Sequence, residues 1–262
     1  SGQVVGMSSP MKHMKIEFKS TGGSTYTGTA DAQGRFTVPA DVSKSVSFAI
    51  TITFAYEEGG TTYFILHNRN TSPDPATDTT PPVALELTVS GDTITAARFR
   101  ISTDTYENIA VPAGRTVSSI NLDDYLTEDN GIDCYTGMYR HFTEALEFYR
   151  DYLGVDLTER APLKVYTFVS KGTAYDHVGS LSYITINAAD SYLSSPNRPK
   201  NREYHEFSHY AMHCLYGDAF EYPASDIGHI NHGGYGNPTT IDSYQEGFAY
   251  FMSAIMGGYY SN

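Results

Sequence analysis

The feature that most constrains this chain is a change of hydrophobic period part-way along it. In the first 110 or so residues apolar side chains alternate with polar ones, as in Val46, Phe48, Ile50, Ile52 and Phe54. A period of two puts one side of a strand on a core and the other toward water. From Tyr135 onward the spacing switches to three and four, through Met138, Tyr139, Phe142, Ala145, Leu146, Tyr149 and Tyr152 to Leu153. That is the period of an amphipathic helix. A run of strands followed by a part that brings in helices, without regular alternation of strand and helix, is expected to be α+β.

In the first part, strands are expected at 14–19, 35–39, 46–56, 62–67, 83–89 and 93–102. They are separated by Gly22-Gly23, residues 31–34, Gly59-Gly60 and Gly91-Asp92, which favour turns. A β-sandwich is the simplest packing for such strands. The loop at 71–82, rich in Pro, Thr and Asp, suits neither strand nor helix. Next to it, Asn70-Thr71-Ser72 has the form of a glycosylation acceptor. A polar, turn-rich stretch at 113–133 marks a boundary, giving an all-β unit at 1–115 and a second unit at 116–262. The second reads as a helix at 135–153 ended by Gly154, strands at 163–169 and 181–187, and helices at 201–216 and 242–256. Gly217 and Gly257-Gly258 close the last two.

Composition excludes several functions. The net charge is -13 with a pI near 5.0. That charge repels nucleic acid and anionic membrane surfaces. No apolar run reaches the roughly 18 residues a membrane span needs, and the first residues lack the basic and apolar regions of a signal peptide. Cys134 and Cys214 are too few for a disulfide scaffold and lack thiolate-site spacing, so they are one disulfide or two buried thiols. Oligomeric state is not written in the sequence.

The chemistry concentrates in His205-Glu206-Phe207-Ser208-His209, an HExxH run on a segment that reads as helical from its own spacing. Four residues are about one turn, or about 6 Å of rise, so both imidazoles leave one face and can converge on one ion. Zinc accepts imidazole nitrogens, and its catalytic sites keep a position for water. Glu206 projects from a neighbouring face and is the expected general base. His213 continues the stripe but lies about 12 Å from His205 along a straight helix. It is therefore expected in the core or beside a ligand. Leu215 stands where a third histidine of the metzincin pattern would fall. The third ligand must come from elsewhere.

Glu246 is the expected third ligand. It stands in a helix apolar nearly all round, with Phe248, Ala249, Tyr250, Phe251, Met252, Ala254, Ile255 and Met256. Such a helix is expected to be buried. A carboxylate there is costly without a cation or several donors. Two readings stay open at this point. Ser243-Tyr244-Gln245-Glu246 also fits a capping box, and Asp242, Glu221, Asp218, His229 and His232 are further candidate ligands.

These residues resemble a known family. Residues 134–256 are similar to the catalytic domain of the gluzincins, the group of thermolysin and the zinc aminopeptidases. The resemblance rests on the Gly154-ended helix, the two strands, His205 to His209, and Glu246-Gly247-Phe248-Ala249. It implies a zincin-like domain, Zn2+ held by His205, His209 and Glu246, a peptide or protein substrate, and an edge strand near Tyr183 that pairs with substrate backbone. In the first unit, Val4-Val5-Gly6 with residues 28–36 is similar to the carboxypeptidase-regulatory-like sandwiches found beside extracellular peptidases. A secreted or cell-surface location is expected on that ground.

The chain departs from the family in three places. The Gly-x-Met-Glu-Asn run of the aminopeptidases, whose Glu holds a substrate amine, is replaced by Gly179-Ser180-Leu181-Ser182-Tyr183. Internal peptide bonds are therefore the expected substrate. The 36 residues between His209 and Glu246 exceed the usual gap. They hold His229, Asn231, His232 and Tyr235 in a Gly-rich loop, where His232 and Tyr235 are candidate oxyanion donors. Only 16 residues follow Glu246, too few for the helical subdomain that the resemblance implies next, and the catalytic unit is expected to be C-terminally incomplete. A second function class is a structural or adhesive surface protein whose degenerate peptidase domain uses a metal only for stability.

Overall fold

A computed structural model describes residues 1–68, 76–128, 132–191, 201–217 and 240–260. The Asn70 sequon lies outside them. The described chain is α+β, with two mixed sheets and five helices. In chain order the elements are β1 (Gly2–Gly6), β2 (Ser9–Pro10), β3 (Met14–Ser20), β4 (Thr25–Thr29), β5 (Arg35–Phe36) and α1 (Ala40–Ser43), then β6 (Ser47–Glu58), β7 (Thr61–Asn68), β8 (Ala84–Ser90), β9 (Thr93–Arg100), β10 (Tyr106–Ile109) and β11 (Ile120–Asn121). After them come α2 (Cys134–Glu147), β12 (Leu163–Val169), β13 (Ala174–Val178), β14 (Leu181–Asn187), α3 (Ala188–Ser191), α4 (Arg202–Tyr216) and α5 (Thr240–Tyr260).

The larger sheet has ten strands, in the order β10-β9-β8-β6-β7-β12-β14-β13, with β3 and β4 added beside β6. β6 organises it. Its first half, buried on alternate residues, pairs with β3 and β8, and its second half turns through Gly59-Gly60 into β7. In that second half residues 52–56 are all buried, because helix α2 covers what would be the open face. Phe54 there meets the rings of Phe99, Tyr135 and Tyr139. Burial of each such ring contributes about 1.5–3 kcal/mol. Val46, expected to point inward, is 87% exposed; it precedes β6 and escapes the alternation.

β7 then pairs in parallel with β12, which pairs in parallel with β14. Main-chain hydrogen bonds therefore cross the boundary expected near residue 115. A buried Tyr135 hydroxyl 2.9 Å from Thr167 Oγ1 adds a tie between α2 and β12. The expected helix at 135–153 is α2 followed by one wider π turn at 148–152, and Gly154 ends it in the left-handed region at φ 68°.

The edge strand near the expected site is β13, where the sequence reading places it near Tyr183. Tyr183 is on β14, which has β12 on one side and β13 on the other. Residues 182–186 are accordingly buried on both faces, whereas β13 is half-buried. The two strands meet at Gly179-Ser180, where Gly179 has φ 59°, as the first position of a tight two-residue hairpin turn requires. No helix among the described residues is long and apolar enough to cross a membrane.

Candidate metal centre

Helix α4 brings the HExxH run to its place. It follows Asn201, held at φ 57°, and stops before Gly217, also at φ 57°, close to the expected 201–216. Between Arg202 and His213 only His205 and His209 are half-buried; every other residue there is buried. Phe207 packs toward Phe142 and Tyr149, the Tyr204 hydroxyl bonds Glu144, and the Tyr210 hydroxyl donates to the Leu157 carbonyl at 2.9 Å. Over that stretch the two imidazoles are therefore the side chains left partly accessible.

Helix α5 packs across α4. Gly257 lies against Asn201, the residue before α4, where a Cβ would come within 2.4 Å of the Asn201 side-chain amide. The crossing sets Glu246 opposite the two histidines. Its Oε2 is 3.4 Å from His205 Nε2, its Oε1 is 3.4 Å from His209 Nε2, and the two Nε2 atoms are 3.2 Å apart. Among the described residues this is the one group of three or more His, Cys, Asp or Glu side chains whose ligand atoms converge in this way.

Donors about 2.0–2.1 Å from a tetrahedral ion stand about 3.3–3.4 Å from one another. The two imidazole nitrogens stand close to that edge and each has a different Glu246 oxygen at 3.4 Å, and two imidazoles with one carboxylate are a donor set that zinc accepts. Two ring nitrogens at 3.2 Å can otherwise coexist only with a proton between them, and the carboxylate would compete for it. The residues therefore fit a divalent cation. The Tyr250 ring, one turn beyond Glu246, lies against His205 with centroids 4.5 Å apart.

The surroundings of Glu246 differ from those expected. α5 is buried along Ala249, Met252, Ser253 and Met256, whereas Tyr244, Tyr250, Phe251, Ile255 and Tyr259 are exposed among the described residues. The Glu246 side chain is itself 22% exposed. The capping alternative fails, because α5 begins at Thr240 and Ser243 is already inside it. A box needs its Ser at the residue before the helix. Of the other candidates, Asp218, Glu221, His229, His232 and Tyr235 lie outside the described residues, as does the side chain of Asp242.

Glu206 leaves α4 on the side facing β13. It is 7% exposed, and its Oε2 accepts the Tyr175 main-chain N–H at 2.7 Å. Burial, which disfavours the charged form, pushes its carboxyl up to about 7, against the pull of His205, the Tyr175 amide and Arg202, with Glu246 adding to the rise. A carboxylate that changes charge near neutrality is suited to take and return a proton. Beside it Arg202 and Glu203 form a buried pair at 2.6 Å. His213, expected in the core or beside a ligand, is buried with Nδ1 2.7 Å from the Tyr175 hydroxyl. Neither cysteine is in a disulfide, and burial raises the Cys214 thiol to about 11.

Sequence reasoning passed over β13 and Tyr175. The signal was the pair Gly179-Ser180 between two short runs, which marks a hairpin. Tyr250 was read only as part of an apolar helix. No known family model, curated protein or solved structure matches the chain.

Proposed function

We propose that this chain is a zinc-dependent peptidase, with His205, His209 and Glu246 holding the ion and Glu206 as general base. The observation that carries the reading is the convergence of His205, His209 and Glu246 beside the buried Glu206 carboxyl. A structural metal site has no use for the second feature. When bound, the ion supplies the positive charge that acidifies water and polarises a carbonyl. The chain's own groups do the rest. Glu206 takes the proton from the attacking water and returns it to the leaving amine. The Tyr175 amide fixes one carboxylate oxygen, leaving the other for that exchange.

β13 is the strand a substrate backbone would join. In an antiparallel ladder the N–H and C=O of one residue point the same way. The Tyr175 N–H faces Glu206, away from β14. Its carbonyl therefore faces outward as well and can accept a substrate N–H. No carboxylate in Gly179-Ser180-Leu181-Ser182-Tyr183 is placed to hold a free amine, which favours cleavage within chains. In this reading the catalytic elements of residues 116–262 are zincin-like and share one sheet with the strands of residues 1–115, in a secreted or cell-surface protein.

Cleavage of casein and of a peptide library, with and without chelator, tests the proposal. Wild type should cleave, chelator should stop it, and Glu206→Gln should lower turnover at least a hundredfold while retaining zinc. Zinc bound without cleavage by wild type would favour the structural reading instead.

A further inference from the structure

Glu206 is useful as a base only if its carboxylate is held in one place, and that place depends on a single main-chain N–H of an edge strand. Among the described residues β13 pairs only with β14, so one ladder fixes it. Strands held on one side open more readily than interior ones. The second hold on β13 comes from Tyr175 itself. Its hydroxyl reaches His213 Nδ1 at 2.7 Å and Ser182 Oγ at 3.0 Å. Glu206 and His213 are seven residues apart on α4, from 213 minus 206, which is two turns or about 10.5 Å.

One residue of β13 thus grips one helix at two separated points, by its amide at Glu206 and by its hydroxyl at His213. Two such points fix both the distance of the strand from the helix and its rotation about the first contact. The third partner ties the same hydroxyl to β14, since Ser182 is buried on that strand. The His213 ring is also backed by His177, another β13 residue, with centroids 4.3 Å apart.

We propose that His213 and the Tyr175 hydroxyl are positioning residues that hold the Glu206 carboxylate in register with the metal ligands, by clamping β13 to α4. The role in turnover rests on the peptidase reading; the clamp itself does not. Two readouts separate them. The first is amide hydrogen exchange at residue 175, followed by NMR. The second is the split between kcat and KM on a cleavable peptide.

The residue 175 amide should be protected in wild type. Protection should fall at least tenfold in Glu206→Ala, Tyr175→Phe and His213→Ala, with β12 amides unchanged. His213→Asn, whose side-chain oxygen replaces Nδ1, should restore most of it. In Tyr175→Phe and His213→Ala kcat should fall about tenfold, with KM within a factor of two. Protection that survives both Tyr175→Phe and His213→Ala overturns the clamp. Lost protection with unchanged kcat overturns its positioning role. The expected exchange pattern in a protein that cleaves nothing supports the clamp and overturns the peptidase reading.

Discussion

Replacing Glu246 by Gln tests the metal centre most directly. The substitution keeps the size of the side chain and removes the charge that stands 3.4 Å from each imidazole nitrogen. Losing a group that merely orients a ligand costs about 10–100-fold in metal affinity. Losing a charged donor should cost more, on the order of a thousandfold, or about 4 kcal/mol. The same loss appears in stability. With free zinc at a hundred times the wild-type Kd, binding stabilises the fold by about 2.7 kcal/mol, whereas a thousandfold weaker site gains about 0.1 kcal/mol. At about 2 °C per kcal/mol for a chain of this size, zinc should raise wild-type Tm by about 5 °C and leave the variant unmoved. Competition against a chromophoric chelator gives the affinities and a thermal melt gives Tm. Both proteins should melt together in excess chelator, which shows that the variant folds. A Kd for Glu246→Gln within threefold of wild type would refute Glu246 as a ligand.

Glu206 makes a prediction of opposite sign for the chelated protein. Its carboxyl is raised from an ordinary 4.5 to about 7, so its stabilising contribution is complete below pH 4.5 and is lost as pH rises through 7. Above that, the buried charge costs about 3 kcal/mol. In chelator at pH 8, Glu206→Gln should be more stable than wild type by up to about that amount, and denaturation midpoints should converge near pH 4. A difference independent of pH would reject burial as the cause. Tyr250→Ala should weaken zinc binding threefold to tenfold by removing the ring against His205, and Tyr250→Phe should not. An equal loss in both would assign the effect to the hydroxyl. Gly257→Ala should destabilise the protein by about 1–3 kcal/mol through the clash with Asn201, whereas Gly258→Ala, with nothing near its Cβ, should gain up to about 1 kcal/mol. Urea midpoints of the two variants decide it.

The three long helices and most strands were legible because each carries its own period, whereas the four-residue α1 and α3 were not. α2 and α4 start within a residue of their expected positions, and β6 to β9 lie close to theirs. The strands missed, β1, β2, β4, β10, β11 and β13, are at most five residues long and too short to show a period, and β13 mixes Asp and His with Ala, Tyr and Val. Their pairing comes from neighbours distant in the chain. The site divides in the same way. His205, Glu206 and His209 are a local pattern, so four-residue spacing places them. Glu246 was reached through the apolar character of its helix, yet that helix is half-open and its carboxylate partly exposed. The structure brings the three side chains together, but in a more open environment than expected, because burial depends on what packs alongside.

The continuous sheet also bears on how the site is held. β7 lies in the first part of the chain and β12 in the second, yet they share a parallel ladder, and β12 and β14 carry the edge strand that meets Glu206. Helix α2 rests on β6 and β7 on one side and on α4 on the other. The first 68 residues thus support both bodies that face each other across Glu206, the sheet directly and the helix through α2. On this architecture, substitutions that loosen the β6–β7 hairpin should disturb β13 and α4 together. The N-terminal strands then belong to the platform on which Glu206, His205 and His209 are aligned.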